Sequence, residues 1–183
     1  MVRKLAVLAA LGLMILPVFA AQSKNSAAIR AMNAGKEHLR RDEFGMAIKS
    51  FTKYASLEPE NSDPYELRAC TYLKMDSSDL ALNDIAKLQQ IDSDEQTGFL
   101  ANWLKGIVLL RRGDAAGADT ALVKASSGSP SVAGQRIARA RQSTESIFVG
   151  LSAAEQTSEE YRLKLADLLL DECIDYKLLG FQR

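Results

Sequence analysis

Small residues recur at a nearly constant spacing along the middle of this chain, and that spacing constrains the fold more than any other feature. In the stretch GKEHLRRDEFGMAIKSFTKYASLEP, a glycine is followed by an alanine, a phenylalanine and a closing proline. The same four positions return 34 residues later and again after a further 37 residues. The three sets are Gly35, Ala47, Phe51 and Pro59; Ala69, Ala81, Ile85 and Ser93; and Gly106, Ala118, Leu122 and Pro130. A period of roughly 34 residues is typical of a helical repeat.

Between these positions the apolar residues recur every three or four residues, which is the period of an α-helix. The stretches EPENSDP, DSSD and GD interrupt this pattern. With only four prolines in the chain, the composition also favours helices over a β-sandwich or barrel. The sequence therefore predicts an all-α fold with three helix–turn–helix units, at residues 28–61, 62–95 and 99–132.

The small residues have a physical role in such a fold. Packed helices lie about 8–10 Å apart, and their closest contacts leave room only for small side chains. We expect the recurring glycines and alanines to fill those contacts, and the larger residues Phe51, Ile85 and Leu122 to fill the wider gaps. Proline ends the second helix of a unit because it cannot continue one.

On these residues the chain resembles the tetratricopeptide repeat proteins, whose motif has small residues, a phenylalanine and a proline at the same offsets. The resemblance covers residues 28–132. It is incomplete, because Ala31 and His38 replace the usual tryptophan and tyrosine of the first unit, and Ser93 replaces a proline. The resemblance implies a right-handed α-solenoid whose first helices line a concave groove, and a groove that receives a peptide or helix of a partner protein.

Stacked repeats leave apolar faces at their ends, which need a cap. We expect residues 133–183 to form C-terminal capping helices. The segment PSVAGQRIARARQSTESIFVGL is one long helix or two short ones, and TSEEYRLKLADLLLDECIDYKLL opens with a capping-box spacing at Thr157 and Glu160.

The register of the resemblance places nine residues in the groove. Three of them, Arg40, Lys74 and Arg111, occupy the same position of successive units and form a basic ladder. This ladder holds an acidic ligand or is merely solvated, and the sequence leaves both readings open. The predicted groove residues are Met32, Lys36, Arg40, Glu66, Cys70, Lys74, Trp103, Ile107 and Arg111.

The helix FLANWLKGIVLLRR is apolar nearly all round, which predicts burial on every side. Its covering is the C-terminal helix folded back into the groove, or a partner protein. If the C-terminal helix folds back, Cys173 approaches Cys70 across the groove. The two cysteines then form a disulfide or remain buried thiols.

The N-terminus has the pattern of a secretory signal. The basic start MVRK precedes the apolar run LAVLAALGLMIL, and Val18 and Ala20 fit a signal-peptidase site. We expect residues 1–20 to be removed and the protein to be exported to the periplasm or the extracellular space. The alternative is an uncleaved segment that anchors the chain in a membrane.

Residues that carry chemistry are few. The single histidine, His38, falls at a position that is usually structural in such repeats, and the two cysteines have no metal-binding spacing. A net charge of zero gives no field to attract nucleic acid. We expect no enzyme, cofactor or metal, and a scaffold or adaptor that binds a protein or peptide partner. The alternatives are an anchored subunit of an envelope complex, and a small-ligand binder or enzyme with its site around His38, Tyr161 or Cys173.

Overall fold

The computed structural model describes residues 25–91, 98–127, 131–147 and 158–179. These residues form eight α-helices and contain no β-strand, which confirms the predicted all-α class for the described part of the chain. The helices are α1 (residues 25–40), α2 (Phe44–Leu57), α3 (Asp63–Lys74), α4 (Ser78–Ile91), α5 (Phe99–Arg111), α6 (Ala115–Ser127), α7 (Ser131–Ile147) and α8 (Glu159–Leu179).

The turns that follow α1, α3 and α5 have the same backbone geometry. Each contains one residue in the left-handed region, with φ of 57° at Asp42, 54° at Asp76 and 89° at Gly113. In each turn the next residue donates its N–H to the carbonyl five positions earlier, which is the Schellman pattern of a helix C-terminus. These bonds are Glu43 to His38, Ser77 to Tyr72 and Asp114 to Leu109, each 2.9 Å. The left-handed residues are separated by 34 and 37 residues, the same spacings that the sequence shows.

The recurring small residues lie at close contacts between helices, as the sequence predicts. Ala47, Ala81 and Ala118 are fully buried. A Cβ atom added at Gly35 would lie 2.4 Å from Cε1 of Phe51, and one added at Gly106 would lie 2.7 Å from Cγ of Leu122. In the first and third sets the larger residue thus packs against the backbone of the preceding helix, and glycine leaves it the necessary space.

Each helix from α2 to α6 packs against the next along the chain, and α3 also contacts α5. The helices share one apolar core, with members from Met32 in α1 to Ile174 in α8. α7 is a single helix in the described residues and packs on α6. α8 then returns to contact α7, α5 and α3.

Several expectations fall on other parts of the chain. The signal segment 1–20, Ser93 and Pro130 lie outside the described residues. Among the helices of the described part, none combines the length and the hydropathy that crossing a membrane requires. Export and cleavage therefore stay predictions, as does the anchored alternative.

Candidate functional site

The expected fold-back of the C-terminal helix is confirmed, whereas the concave groove itself stays a prediction. α8 packs on α3 and α5, the first helices of the second and third predicted units. Its apolar side enters the core through Leu165, Ala166, Leu169, Leu170 and Ile174. This covering explains why α5 is apolar nearly all round: α6 packs on it as well, and nine of its residues are buried.

Trp103 is the central contact of α5 with α8. Its side chain is fully buried, and the indole Nε1–H donates to the carbonyl of Leu169 at 3.2 Å. Tyr176 of α8 lies beside it, with ring centroids 6.4 Å apart, and meets Phe99 edge-on at 5.9 Å. A buried tryptophan needs a partner for its N–H, and here the backbone of α8 supplies one.

The basic ladder contacts α8 rather than solvent alone. Lys74 forms an ion pair with Asp171, and Arg111 binds Asp167 at 2.9 Å. These two aspartates are one helical turn apart, so they point to the same side of α8. The third member, Arg40, donates to the carbonyl of Leu178 at 3.4 Å, near the C-terminal end of α8.

Arg111 also joins helices to one another. Its Nη1 donates to the carbonyl of Leu73 at 2.5 Å and to Asp76 at 2.9 Å, both at the C-terminal end of α3. A cation at that end is favourable because the helix dipole is negative there. With Asp167 as its third partner, this side chain connects α3, α5 and α8 and remains only 12% exposed.

A buried ion pair lies further along α8. Glu66 of α3 is 3% exposed, and Lys177 of α8 pairs with it and, at 2.6 Å, with Asp63. Burial lowers the pKa of Lys177, but the carboxylates of Glu66 and Asp63 outweigh burial and hold it above the usual lysine value. Glu66 was predicted from its register position alone, whereas its partner Lys177 was not predicted.

The two cysteines meet at the same interface. Sγ of Cys70 in α3 and Sγ of Cys173 in α8 are 3.9 Å apart, and both are free thiols in this structure. The hydrogen bond with Cys70, together with burial, raises the pKa of the Cys173 thiol well above its ordinary value. The expected approach of the two residues is confirmed, and a bond between them stays a prediction.

Three of the nine predicted groove residues remain, Met32, Lys36 and Ile107. Ile107 is fully buried and Met32 nearly so, as members of the apolar core. Lys36 is half-buried on α1. α8 therefore covers most of the predicted groove residues, and whether they bind a partner protein stays a prediction.

Besides Lys177, four more charged residues of α8 were not predicted: Asp167, Asp171, Glu172 and Arg162. The last two hold the other sides of α8, since Arg136 of α7 binds Glu172 at 2.7 Å and Arg162 donates to the carbonyl of Leu110 at 2.9 Å. One signal in the sequence could have predicted these ion pairs: Asp167 and Asp171 are four residues apart on one helix and have the charge opposite to that of the basic ladder.

The other residues singled out in the sequence include His38 on α1 and Tyr161 on α8. His38 is half-buried and lies 2.5 Å from a carboxylate oxygen of Glu43. Tyr161 is buried at the start of α8. Within the described ranges, no cluster of three or more His, Cys, Asp or Glu residues could hold a metal ion.

Comparison with known proteins gives no match, either to a family model or to a curated protein or solved structure.

Proposed function

We propose that this chain is an exported scaffold of the tetratricopeptide-repeat kind, which holds a helix of a partner protein on its concave face. Two observations support the repeat architecture. The same turn geometry recurs after α1, α3 and α5 at the spacing of the sequence repeat, and the glycine or alanine of each set lies at a close helix contact. Both are expected of a solenoid built from three helix pairs.

The observation that carries the binding function is the occupancy of the groove by α8. Placing an amphipathic helix in a groove is a recurrent mode of protein recognition. Here the groove helices α3 and α5 provide a buried tryptophan, two cations and a buried carboxylate, and all of them have partners on α8. The surface is thus suited to a helix that carries carboxylates four residues apart.

A partner must compete with α8 for this surface. An element of the same chain acts at an effective concentration on the order of millimolar. A partner helix at micromolar concentration that makes equal contacts would therefore occupy the groove about a thousandfold less than α8 does. Partner binding is expected to require either stronger contacts or conditions that release α8.

This competition can be tested with variants that should change the affinity for the partner in opposite directions. The full chain carries a photo-crosslinking residue in place of Lys36, a predicted groove residue on α1, with a matched control in place of exposed Lys53 on α2. A protein that crosslinks to position 36 but not to position 53 is identified and purified, and its binding to the chain is then measured by titration. The double variant Asp167→Asn/Asp171→Asn loosens α8 but leaves the groove intact, so we expect the partner to bind several-fold more tightly.

Two controls complete the titration. Asp175→Asn changes an exposed carboxylate of the same helix and should leave partner affinity as it was. Trp103→Ala, in the groove itself, should weaken the complex. Unchanged affinity in the Asp167→Asn/Asp171→Asn variant would place the partner elsewhere on the molecule and refute binding in the groove.

A further inference from the structure

The thiols of Cys70 and Cys173 connect two elements that are far apart in the chain. They lie 103 residues apart in sequence, yet their sulfur atoms are 3.9 Å apart, with 0% and 1% of the two residues exposed. One is on α3, a groove helix, and the other is on α8, the helix in the groove. The chain contains only these two cysteines, so no other disulfide can form within it.

We propose that Cys70 and Cys173 are a disulfide-forming pair, and that their oxidation fixes α8 covalently in the groove. The oxidant is a disulfide, either of a small molecule or of a protein. One cysteine, as its thiolate, attacks this disulfide, forms a mixed disulfide and releases one thiol. The second cysteine attacks the mixed disulfide, the intramolecular bond forms, and the second thiol leaves. Two electrons and two protons thus pass from the protein to the oxidant.

Burial determines when this reaction takes place. In the closed structure neither sulfur is accessible to an oxidant, and the raised pKa of Cys173 keeps it a protonated, unreactive thiol. The first attack therefore requires α8 to leave the groove, during folding or in a transient opening. The second attack requires α8 to return, because only then do the two sulfurs meet.

The effect on the groove rests on the function proposed above, whereas the covalent step does not. In the reduced protein, α8 is held by packing, ion pairs and hydrogen bonds, and a partner helix can replace it. In the oxidised protein α8 cannot leave, so the groove is closed to a partner. The redox state of this pair would therefore decide whether the scaffold accepts a partner.

The test uses the reduced full chain and oxidised glutathione as the oxidant. We expect a monomer that has lost two hydrogens, with one peptide linking Cys70 to Cys173 after non-reducing proteolysis. Reaction should be faster in Asp167→Asn/Asp171→Asn, which loosens α8, than in the control Asp175→Asn. A product limited to glutathione adducts or disulfide-linked dimers would overturn the proposal, as would equal oxidation rates in the two variants.

Variants at the cysteines separate the redox effect from the binding function. Cys70→Ser and Cys173→Ser should lose the cross-link, and oxidised glutathione should leave their partner binding almost unchanged. In the unmodified chain, oxidation should abolish binding, and a thiol reductant should restore it. If the disulfide forms but oxidised and reduced protein bind the partner equally, the cross-link stands, and both groove binding and redox control of it are refuted.

Discussion

Gly106 and Leu122 show at the scale of single residues how two helices of a pair come together. A Cβ atom at Gly106 would lie 2.7 Å from Cγ of Leu122, closer than real side-chain contacts. Ala81 is the small residue of the preceding set and is fully buried, with Ile85 one turn further along the same helix almost as deep. The contact has room for a hydrogen atom at Gly106 and for a methyl group at Ala81. These small groups allow the two helices of a pair to approach each other closely.

Replacing Ala81 with leucine should destabilise the protein by about 1–3 kcal/mol, because three additional carbons must fit into a packed contact. Urea denaturation followed by circular dichroism measures this change. The matched control is Ala116→Leu at an exposed position of α6, where we expect a change within about 0.5 kcal/mol. Equal stabilities of the two variants would contradict the position assigned to Ala81.

At the scale of elements, α8 shows what the sequence could predict and what it could not. The small-residue spacing predicted the helix pairs, and the surplus of apolar residues on α5 predicted that this helix is covered, by the C-terminal helix or by a partner protein. The polar contacts of α8 could not be predicted, because Lys177 and Glu66 are more than a hundred residues apart and no local period relates them. The approach of Cys173 to Cys70 was predictable only on the assumption that the helix folds back.

The buried pair of Lys177 and Glu66 should hold α8 strongly to α3. Lys177→Met keeps the volume but leaves a carboxylate that is 3% exposed without its buried cation, which should cost about 3–5 kcal/mol. The double variant Lys177→Met/Glu66→Leu removes both charges and should recover most of that loss. Urea denaturation of the two single variants and the double variant measures the coupling. Additive losses would show that the two side chains do not interact.

At the scale of the whole molecule, α8 connects helices from both ends of the described chain. It contacts α7, α5 and α3, and its Leu178 accepts a hydrogen bond from Arg40 at the end of α1. Stability should therefore depend on groups at the α8 interface. Cys173 and Lys177 are among those that hold their protons more tightly in the folded protein than in the unfolded chain.

This difference predicts that the reduced protein loses stability in alkaline solution. Unfolded cysteine has a pKa of about 8.5 and unfolded lysine of about 10.4. Below pH 8.5 or so, both groups are protonated in both states and their contribution is complete. As the pH rises further, the unfolded chain loses these protons first, so the free energy of unfolding falls, by up to about 1.4 kcal/mol per pH unit for each group.

Urea denaturation at a series of pH values from neutral to alkaline measures this decrease. Cys173→Ser should remove the part of the decrease that begins near the cysteine pKa. It should leave the later part, to which Lys177 contributes together with Tyr54, Tyr161 and Tyr176, whose pKa values burial raises. A free energy of unfolding that stays constant across this range would contradict the raised pKa values of Cys173 and Lys177.

The central claim is that α8 packs across α3 and α5, and the indole of Trp103 tests it most directly. Because the chain has a single tryptophan, its indole N–H gives one resonance in a nuclear magnetic resonance spectrum of the reduced full chain. The structure predicts nuclear Overhauser contacts from this indole to Leu169 and Tyr176, and slow exchange of its N–H with solvent. An indole that exchanges rapidly and shows no contact with α8 would contradict the claim.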